Sequence, residues 1–500
     1  MNRLFFVAKS KRGGILELID RSCGKNLEAF KSDFKDCSDF NIKEFSLDGT
    51  RAFVCIMDGL VNSLALSELV MAPLLSYRGR GGDLFDEVKE NVLQSVEMSE
   101  AESREKAYYF LMSGFAVLVI DGCDRALAMG IQGWVKRGVD DPSNEANVKG
   151  AKECFIECLN DNKALLRKRL KTPHLKLRQI ELGNSAKTSV VIAFLDDRAQ
   201  SDLVNETEHR IRSANLNTLI DYGELVTFLD TDIKSFFSCV GNTERPDVAV
   251  SKLLEGRVVL LVDGTPFAIY LPYLFSDNFQ SLDDYNNPPF YAGFIRIIKA
   301  FSFVLAVFLP SIYVGVGTFH QELMPTNLLY TIAAEEITTP FSLMTEALLL
   351  LVFYEIMREA GLRLPRTIGH AVSIIGGIII GETSVEAGLI GAPMLVVVAM
   401  TAIASYVVYP LYESVAVLRF IFIIVGGIAG LYGIIIAAGV LFVNISTLSP
   451  YGVPLSAPLS PYDRGAADDM FRRADWRVLS KRRVRIDELR GVSIDLGKTE

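Results

Sequence analysis

The sequence predicts an α+β membrane protein in which two tandem small α/β cytoplasmic subdomains precede a polytopic α-helical transmembrane domain. Three observations carry this. Long apolar runs with few charges lie between Ala292 and Asn444, a strand pattern ending in Asp-Gly occurs twice upstream of them, and basic residues gather on one side of the runs. Composition agrees: 500 residues, a net charge of -9, 50% hydrophobic residues and a mean hydropathy of +0.28 lie between the soluble and membrane classes. That is expected when only part of a chain is embedded.

Residues 1–48 are polar and weakly patterned and read as an N-terminal arm. The first apolar run in it is short and turns charged, so no signal peptide is expected. Residues 49–138 read as the first α/β subdomain, with a strand over RAFVCIMD ending at Asp58-Gly59, helical character within 80–110, and strands over Gly114–Asp121 and Arg125–Ile131. Residues 148–290 repeat the plan: a helix over Val148–Leu170, strands over LKLRQIEL and TSVVIAFLDD, a helix over Glu206–Leu219, and a strand pair around Gly256–Asp263 and Pro266–Leu271. Gly114, Asp121 and Gly122 have the same spacing as Gly256, Asp263 and Gly264. A duplicated unit follows, and a cleft between two such units is a common ligand site.

Asp121 and Asp263 each end an apolar strand before Gly. They could bind a metal or accept a proton, and a turn in which Asp caps local backbone explains them equally well. The chain has no GxxxxGK, GxGxxG, HExxH or GxSxG run and four His, so no enzyme, cofactor or metal site is expected. Its seven Cys lack paired CxxC spacing and read as free thiols. The basic run Lys163–Lys171 lies on an amphipathic helix of an acidic protein. It reads as a solvated face or a surface near phospholipid or a partner, not a nucleic-acid site. Glu244, Arg245, Pro246 and Asp247 form a charged rim before the strand that ends at Asp263-Gly264. They are either a salt-bridged surface cluster or a coupling of the soluble part to the membrane part.

Residues 292–444 form the expected transmembrane domain. Runs over 294–316 and 416–443 are long and apolar enough to span lipid. Phe341–Ile356 is shorter and contains Glu346. His370–Tyr409 is too long for one crossing and barely long enough for two, so a re-entrant or broken segment is expected near 373–390, where irregular backbone must be shielded by protein or water. Arg296 and Lys299 precede the first run, Arg358, Arg363 and Arg366 follow the second, and the Pro-rich then basic tail 445–500 follows the last. The positive-inside rule puts all three on the cytoplasmic side. An even number of crossings follows, read as four; five would break the rule at one end.

Glu346, Glu382 and Glu386 are carboxylates in apolar surroundings and should face a bundle interior or water. Glu382 and Glu386 share one helical face. Gly377 and Gly381 allow close packing beside them, and Gly388 and Pro393 mark the break. Three readings are open: pore lining, where rings of Glu favour cations, structural pairing with backbone amides freed at the break, and a position at headgroup level.

The run from TERPD to LVDGTPF, the stretch NKALLRKRLKTPHLKLRQIELG and the membrane run RTIGHAVSIIGGIIIGETSVEAGLIGAPMLVVVAMTAIAS together resemble the A subunit of the GerA-type spore germination receptor family, which includes a stage V sporulation paralogue. The resemblance covers about Asp121 to Pro461. It implies a multi-pass protein of the inner spore membrane with a cytoplasmic N-terminal region, working with a transporter-like B subunit and a lipoprotein C subunit. It further implies a homo-oligomer, a pentamer in that family, forming a cation channel opened by nutrient germinants. The alternative is a non-conducting scaffold or assembly subunit, and a transporter would need a second discontinuous span. The chain departs from the family pattern at Asp140-Asp141-Pro142, at Gly150-Ala151 and near Phe237, where rigid Pro turns are expected.

Overall fold

The computed structural model describes residues 17–79, 83–93, 97–133, 145, 149–230, 235–365, 376–377, 379–471, 473, 475, 477 and 484–493. Two five-stranded antiparallel sheets dominate its first half. In the first, α1 (Cys23–Asp33), β1 (Phe40–Leu47), β2 (Thr50–Met57), β3 (Met98–Ala101), α2 (Arg104–Leu111), β4 (Phe115–Ile120) and β5 (Ala126–Gly130) follow in chain order. The second runs α3 (Leu159–Arg169), β6 (Leu175–Leu182), β7 (Thr188–Leu195), α4 (Ser201–Ser213), α5 (Tyr222–Leu229), β8 (Gly241–Thr243), α6 (Pro246–Leu254), β9 (Val258–Val262) and β10 (Ala268–Leu271). The strand orders β1-β2-β4-β5-β3 and β6-β7-β9-β10-β8 are the same path drawn twice.

The inner strands β2, β4, β7 and β9 are apolar over most of their length because both sheet faces are covered. Along β7, Val190, Ile192 and Phe194 enter one core while Val191, Ala193 and Leu195 enter another, as a period of two requires. Phe53 and Cys55 against Ala52 and Val54 do the same in the first sheet.

The repeated Asp-Gly also gains a physical role. Asp121 Oδ1 accepts the N–H of Cys23 at 2.8 Å and Asp263 Oδ1 accepts that of Leu159 at 3.2 Å, so each aspartate ties a strand end to the first turn of the helix that opens its unit. A carboxylate there satisfies one of the helix's orphan donors. The following Gly122 and Gly264 have φ of +88°, a conformation that favours glycine. This capping contact accounts for both residues without a metal or a transferred proton.

Several boundaries differ from expectation. The arm 1–48 is not an arm over its described part: Ile19, Cys23, Phe30 and Phe34 are buried, and α1 and β1 belong to the first unit. The helix expected over Val148–Leu170 begins only at Leu159, because the Asn162 amide binds the backbone of Ile156 in both directions and holds the preceding chain in a loop. The helix expected over Glu206–Leu219 runs instead over Ser201–Ser213. Within 80–110 the helical character is confined to short helices and α2, with the edge strand β3 between them.

The basic run is a solvated face only in part: Lys168 and Lys171 are exposed, whereas Lys163 and Arg167 are not. Arg167 is fully buried between the two units, its Nε and Nη2 donating to Asp39 at 2.7 and 3.1 Å, and Lys163 is buried on the same side of α3. The tail, where described, docks on the second unit. Tyr451, Val453, Ala457, Ile486 and Leu489 enter its core, and the Tyr451 hydroxyl donates to Leu229 O at 2.7 Å.

Among the described residues the longer helices of the second half are α7 (Pro289–Phe319), α8 (Thr326–Thr338), α9 (Leu343–Arg363), α10 (Ala392–Val407) and α11 (Tyr412–Thr447). Among the described residues two helices are long and apolar enough to cross a membrane, Pro289–Phe319 and Tyr409–Thr447. A third span exists if α8 and α9, bent by 76°, count as one. α10 has 16 residues, about 24 Å at 1.5 Å each, which is shorter than the hydrocarbon core of about 30 Å. Residues 366–375, the first part of the segment expected to be broken, lie outside the described residues.

Two predictions follow from the soluble half. Asp39→Ala leaves Arg167 buried and unpaired and should cost about 3–5 kcal/mol, whereas Asp39→Leu with Arg167→Met should cost far less. Thermal unfolding of the full chain in detergent compares them, and equal losses would contradict the pairing. The second concerns Asp277, which lies among Lys252 at 2.9 Å and Arg257. Burial alone would raise its pKa, but the two cations hold it well below the usual carboxylate range. Its contribution to stability is therefore full above pH ~4 and lost as pH falls through the depressed value. Asp277→Asn should flatten the acid limb of a stability–pH curve, and an unchanged limb would refute this.

Candidate functional site

The membrane half is built around two unusual residues in apolar runs, Pro310 and Arg419. Pro310 lies inside α7. It has no N–H, so the carbonyl four residues earlier, that of Ala306, loses its helical donor. Arg419 of α11 supplies the replacement: its Nε donates to Ala306 O at 3.1 Å. Its Nη2 donates to Ser405 Oγ of α10, and that hydroxyl donates to Thr401 O at 2.8 Å. Arg419 is wholly buried, and its Nη1 lies 3.9 Å from Glu355 Oε1 of α9. Glu355 accepts the Tyr412 hydroxyl at 2.8 Å and Arg358 Nε at 3.1 Å, with the Arg358 guanidinium 3.9 Å over the Tyr412 ring. One guanidinium thus joins four helices.

Close backbone contact surrounds this network. A Cβ on Gly426 of α11 would stand 2.7 Å from Ser311 O of α7, and one on Gly315 would stand 3.3 Å from the carbonyl carbon of Gly430. Small residues let the two long helices touch along their backbones. Gly430 itself breaks α11, with φ 61° and ψ -153°.

The three carboxylates singled out in the sequence separate into two kinds. Glu346 is buried, and its Oε1 accepts the N–H of Gly391, the residue that opens α10 just before Pro393. A carboxylate at a helix N-terminus meets both an orphan donor and the positive end of the dipole. Glu382 and Glu386 lie on a π-turn (Ile379–Thr383) and the turn Ser384–Glu386 that follows it, and both are exposed. Gly381 beside them is buried, and a Cβ on it would stand 3.6 Å from the Leu395 side chain; Gly377 faces open space, and Gly388 takes a φ of +64° near Thr338 O.

The second cluster, Glu244 to Asp247, is held to the linker between the units. Arg245 pairs with Asp247 at 2.7 Å and donates to Ala151 O at 2.8 Å, while Thr243 donates to Glu145 at 2.6 Å. Asp263 and Gly264 are at the cap of α3, away from this cluster in role. The contacts that grip the membrane half come from residues the sequence had marked only for topology or not at all. Arg296 of α7 donates to Asp284 at 2.9 Å and to the tail carbonyls of Asp469 and Met470, and Arg473 of the tail donates to Tyr285 O at 2.8 Å. A cavity of about 410 Å³ lies where the second unit, α7's approach and the tail meet, and Asp247 lines it. Pro310 and Arg419, each anomalous in an apolar run, were the available signal for the central network; Ser405 and Tyr412 gave none.

The proline and the arginine should be coupled. Arg419→Gln should lower the unfolding temperature of the full chain in detergent. Pro310→Ala restores the missing N–H, so in that background the loss should shrink by about 1–3 kcal/mol, the worth of one buried unsatisfied group. Strictly additive losses would contradict the assignment.

The profile of the Bacillus/Clostridium GerA spore germination protein family matches residues 28–485. The chain is 34% identical over 461 residues to the uncharacterized membrane protein YfkQ of Bacillus subtilis, covering 92% of this chain and 90% of that one. It is 33% identical to spore germination protein KA of the same organism, covering 93% and 87%. The crystal structure of the N-terminal domain of the A subunit of the Bacillus megaterium germinant receptor GerK3 aligns with 52% of this chain and 99% of its own, at 24% identity and a TM-score of 0.39, too loose to carry an argument. On the extent of the profile match and of these relatives, the chain belongs to the GerA family of spore germination proteins.

Proposed function

We propose that this chain is the A subunit of a spore germination receptor and acts as a homo-oligomeric cation channel in the inner spore membrane, opened when partner subunits sense nutrient. The observation that carries the reading is the division among the embedded carboxylates. Glu346 is consumed by the Gly391 amide, whereas Glu382 and Glu386 are exposed on an irregular turn between apolar helices. Exposed carboxylates at that depth are costly unless water or another copy faces them. A ring of them contributed by several copies would attract cations.

The topology that goes with this reading has four crossings: α7, the bent pair α8–α9, a third made by α10 with the turn before it, and α11. It returns the chain to the side on which the soluble units and tail lie, as the flanking basic residues require. The partners are a transporter-like B subunit and a lipoprotein C subunit, with a pentamer as the expected assembly. Glu244 to Asp247 would couple nutrient sensing to the membrane half only through the cavity that Asp247 shares with the tail.

The second reading, a non-conducting assembly subunit, draws on Glu346, which is already a structural cap. Single-channel recording of the purified oligomer decides between them. Glu382→Gln with Glu386→Gln should lower unitary conductance and cation selectivity; a channel-free bilayer with wild-type protein, or unchanged conductance and selectivity in the double variant, would overturn the pore assignment.

A further inference from the structure

We propose that the second α/β unit of one copy docks on the first unit of a neighbouring copy through the faces that the duplication makes equivalent to those joining the two units within the chain, with His174 and Lys31 at the places of Asp39 and Arg167. This deepens the oligomeric reading above, on which it rests, by assigning the surface. Within the chain, the loop 34–39 of the first unit lies along the outer strand β6. Leu177 N–H donates to Asp36 O at 3.1 Å, Ser38 N–H donates to Leu177 O at 3.0 Å, and Asp39 holds Arg167 of α3. Gly59 abuts the same helix, where a Cβ would lie 3.0 Å from Asn160 O and 3.4 Å from Ala164 Cβ. Lys163, Ala164 and Arg167 are buried as a result.

Because the unit is duplicated, each side of this contact has a counterpart on an outer face. The shared capping pattern aligns Cys23 with Leu159 and Asn26 with Asn162. Leu27, Glu28 and Lys31 of α1 therefore occupy the positions of Lys163, Ala164 and Arg167. Glu28 and Lys31 are exposed and Leu27 is half-buried. Among the described residues Lys31 pairs with Glu44 alone, at 2.9 Å on the surface, a contact worth little. The outer strand β1 takes the place of β6, yet its first three residues are half-buried or exposed where Leu175, Lys176 and Leu177 are buried.

The other face shows the same relation. Asp58 N–H donates to Asp39 O and Asp196 N–H donates to His174 O, which aligns His174, Asp196 and Asp197 with Asp39, Asp58 and Gly59. Asp39 is buried, while His174, Asp196 and Asp197 are all exposed. Here Asp196 lies 2.7 Å from His174 Nδ1 and 3.4 Å from Lys176 Nζ, and Asp197 lies 3.8 Å from Arg198 Nε, while the α1 face presents Lys25 and Lys31 around Glu28. The two faces differ from one another, so the contact is head to tail. Copies anchored in one membrane share an orientation, and a head-to-tail contact then forms a ring when its rotation closes.

Cysteine cross-linking of the full chain in membranes tests this. The pair Glu28→Cys and Asp197→Cys corresponds to Ala164 and Gly59, whose Cβ positions are 3.4 Å apart, close to the Cβ separation of a disulfide at about 3.5–4.5 Å. With the exposed Cys158 replaced by Ser, oxidation should give a ladder of cross-linked oligomers, and co-expressed single variants should give dimers alone. An assembly of unchanged mass without cross-links would overturn the surface and leave the oligomer standing. A monomeric mass for the wild-type chain would overturn both.

Discussion

The membrane half depends on one exchange of hydrogen-bond donors. A proline in the middle of α7 leaves a carbonyl without its partner in a region where water is scarce, and such a group costs several kcal/mol if left alone. Arg419 answers it from α11, and in doing so draws Ser405 of α10 and Glu355 of α9 onto one guanidinium. Its charge is tolerable there because carbonyl, hydroxyl and carboxylate oxygens surround it. The kink and the cation explain each other, and neither makes sense as an isolated feature of an apolar helix.

The soluble half is organised by repetition. Each unit uses an aspartate at a strand end to cap its opening helix and an asparagine within that helix to hold the preceding loop. The join between units then adds an element found once inside the chain, the buried pair of Arg167 and Asp39. The second unit is tied onward to α7 by Asp277, Asp284 and Arg296 and by a tail that returns to the same junction. The second unit, α7 and the tail therefore meet at one junction.

Much of this was legible in the sequence. The duplication could be read from Asp121-Gly122 and Asp263-Gly264, because the cap demands an acceptor followed by a residue that tolerates positive φ. The long apolar runs marked α7 and α11. What could not be read depends on tertiary contact. Residues 17–48 look polar because α1 buries only one face, and β1 is an outer strand with exposed residues between half-buried ones. The basic run of α3 looks like a solvated face because nothing local announces that Asp39 lies across from Arg167. Glu346, Glu382 and Glu386 were alike as letters, and only the fold separates the one that caps α10 from the two that are exposed. The tail reads as a loose basic extension, yet Tyr451, Ile486 and Leu489 fill a core formed far upstream.

The central claim is that Glu382 faces its own copies around a shared axis. Spin labels at Glu382→Cys in the full chain, reconstituted in nanodiscs whose subunit number is fixed by mass, measure this directly. The account predicts more than one copy per disc with short, narrowly distributed distances between labels, as around a narrow pore. A single copy per disc, or several copies whose labels lie far apart on the periphery, would contradict it.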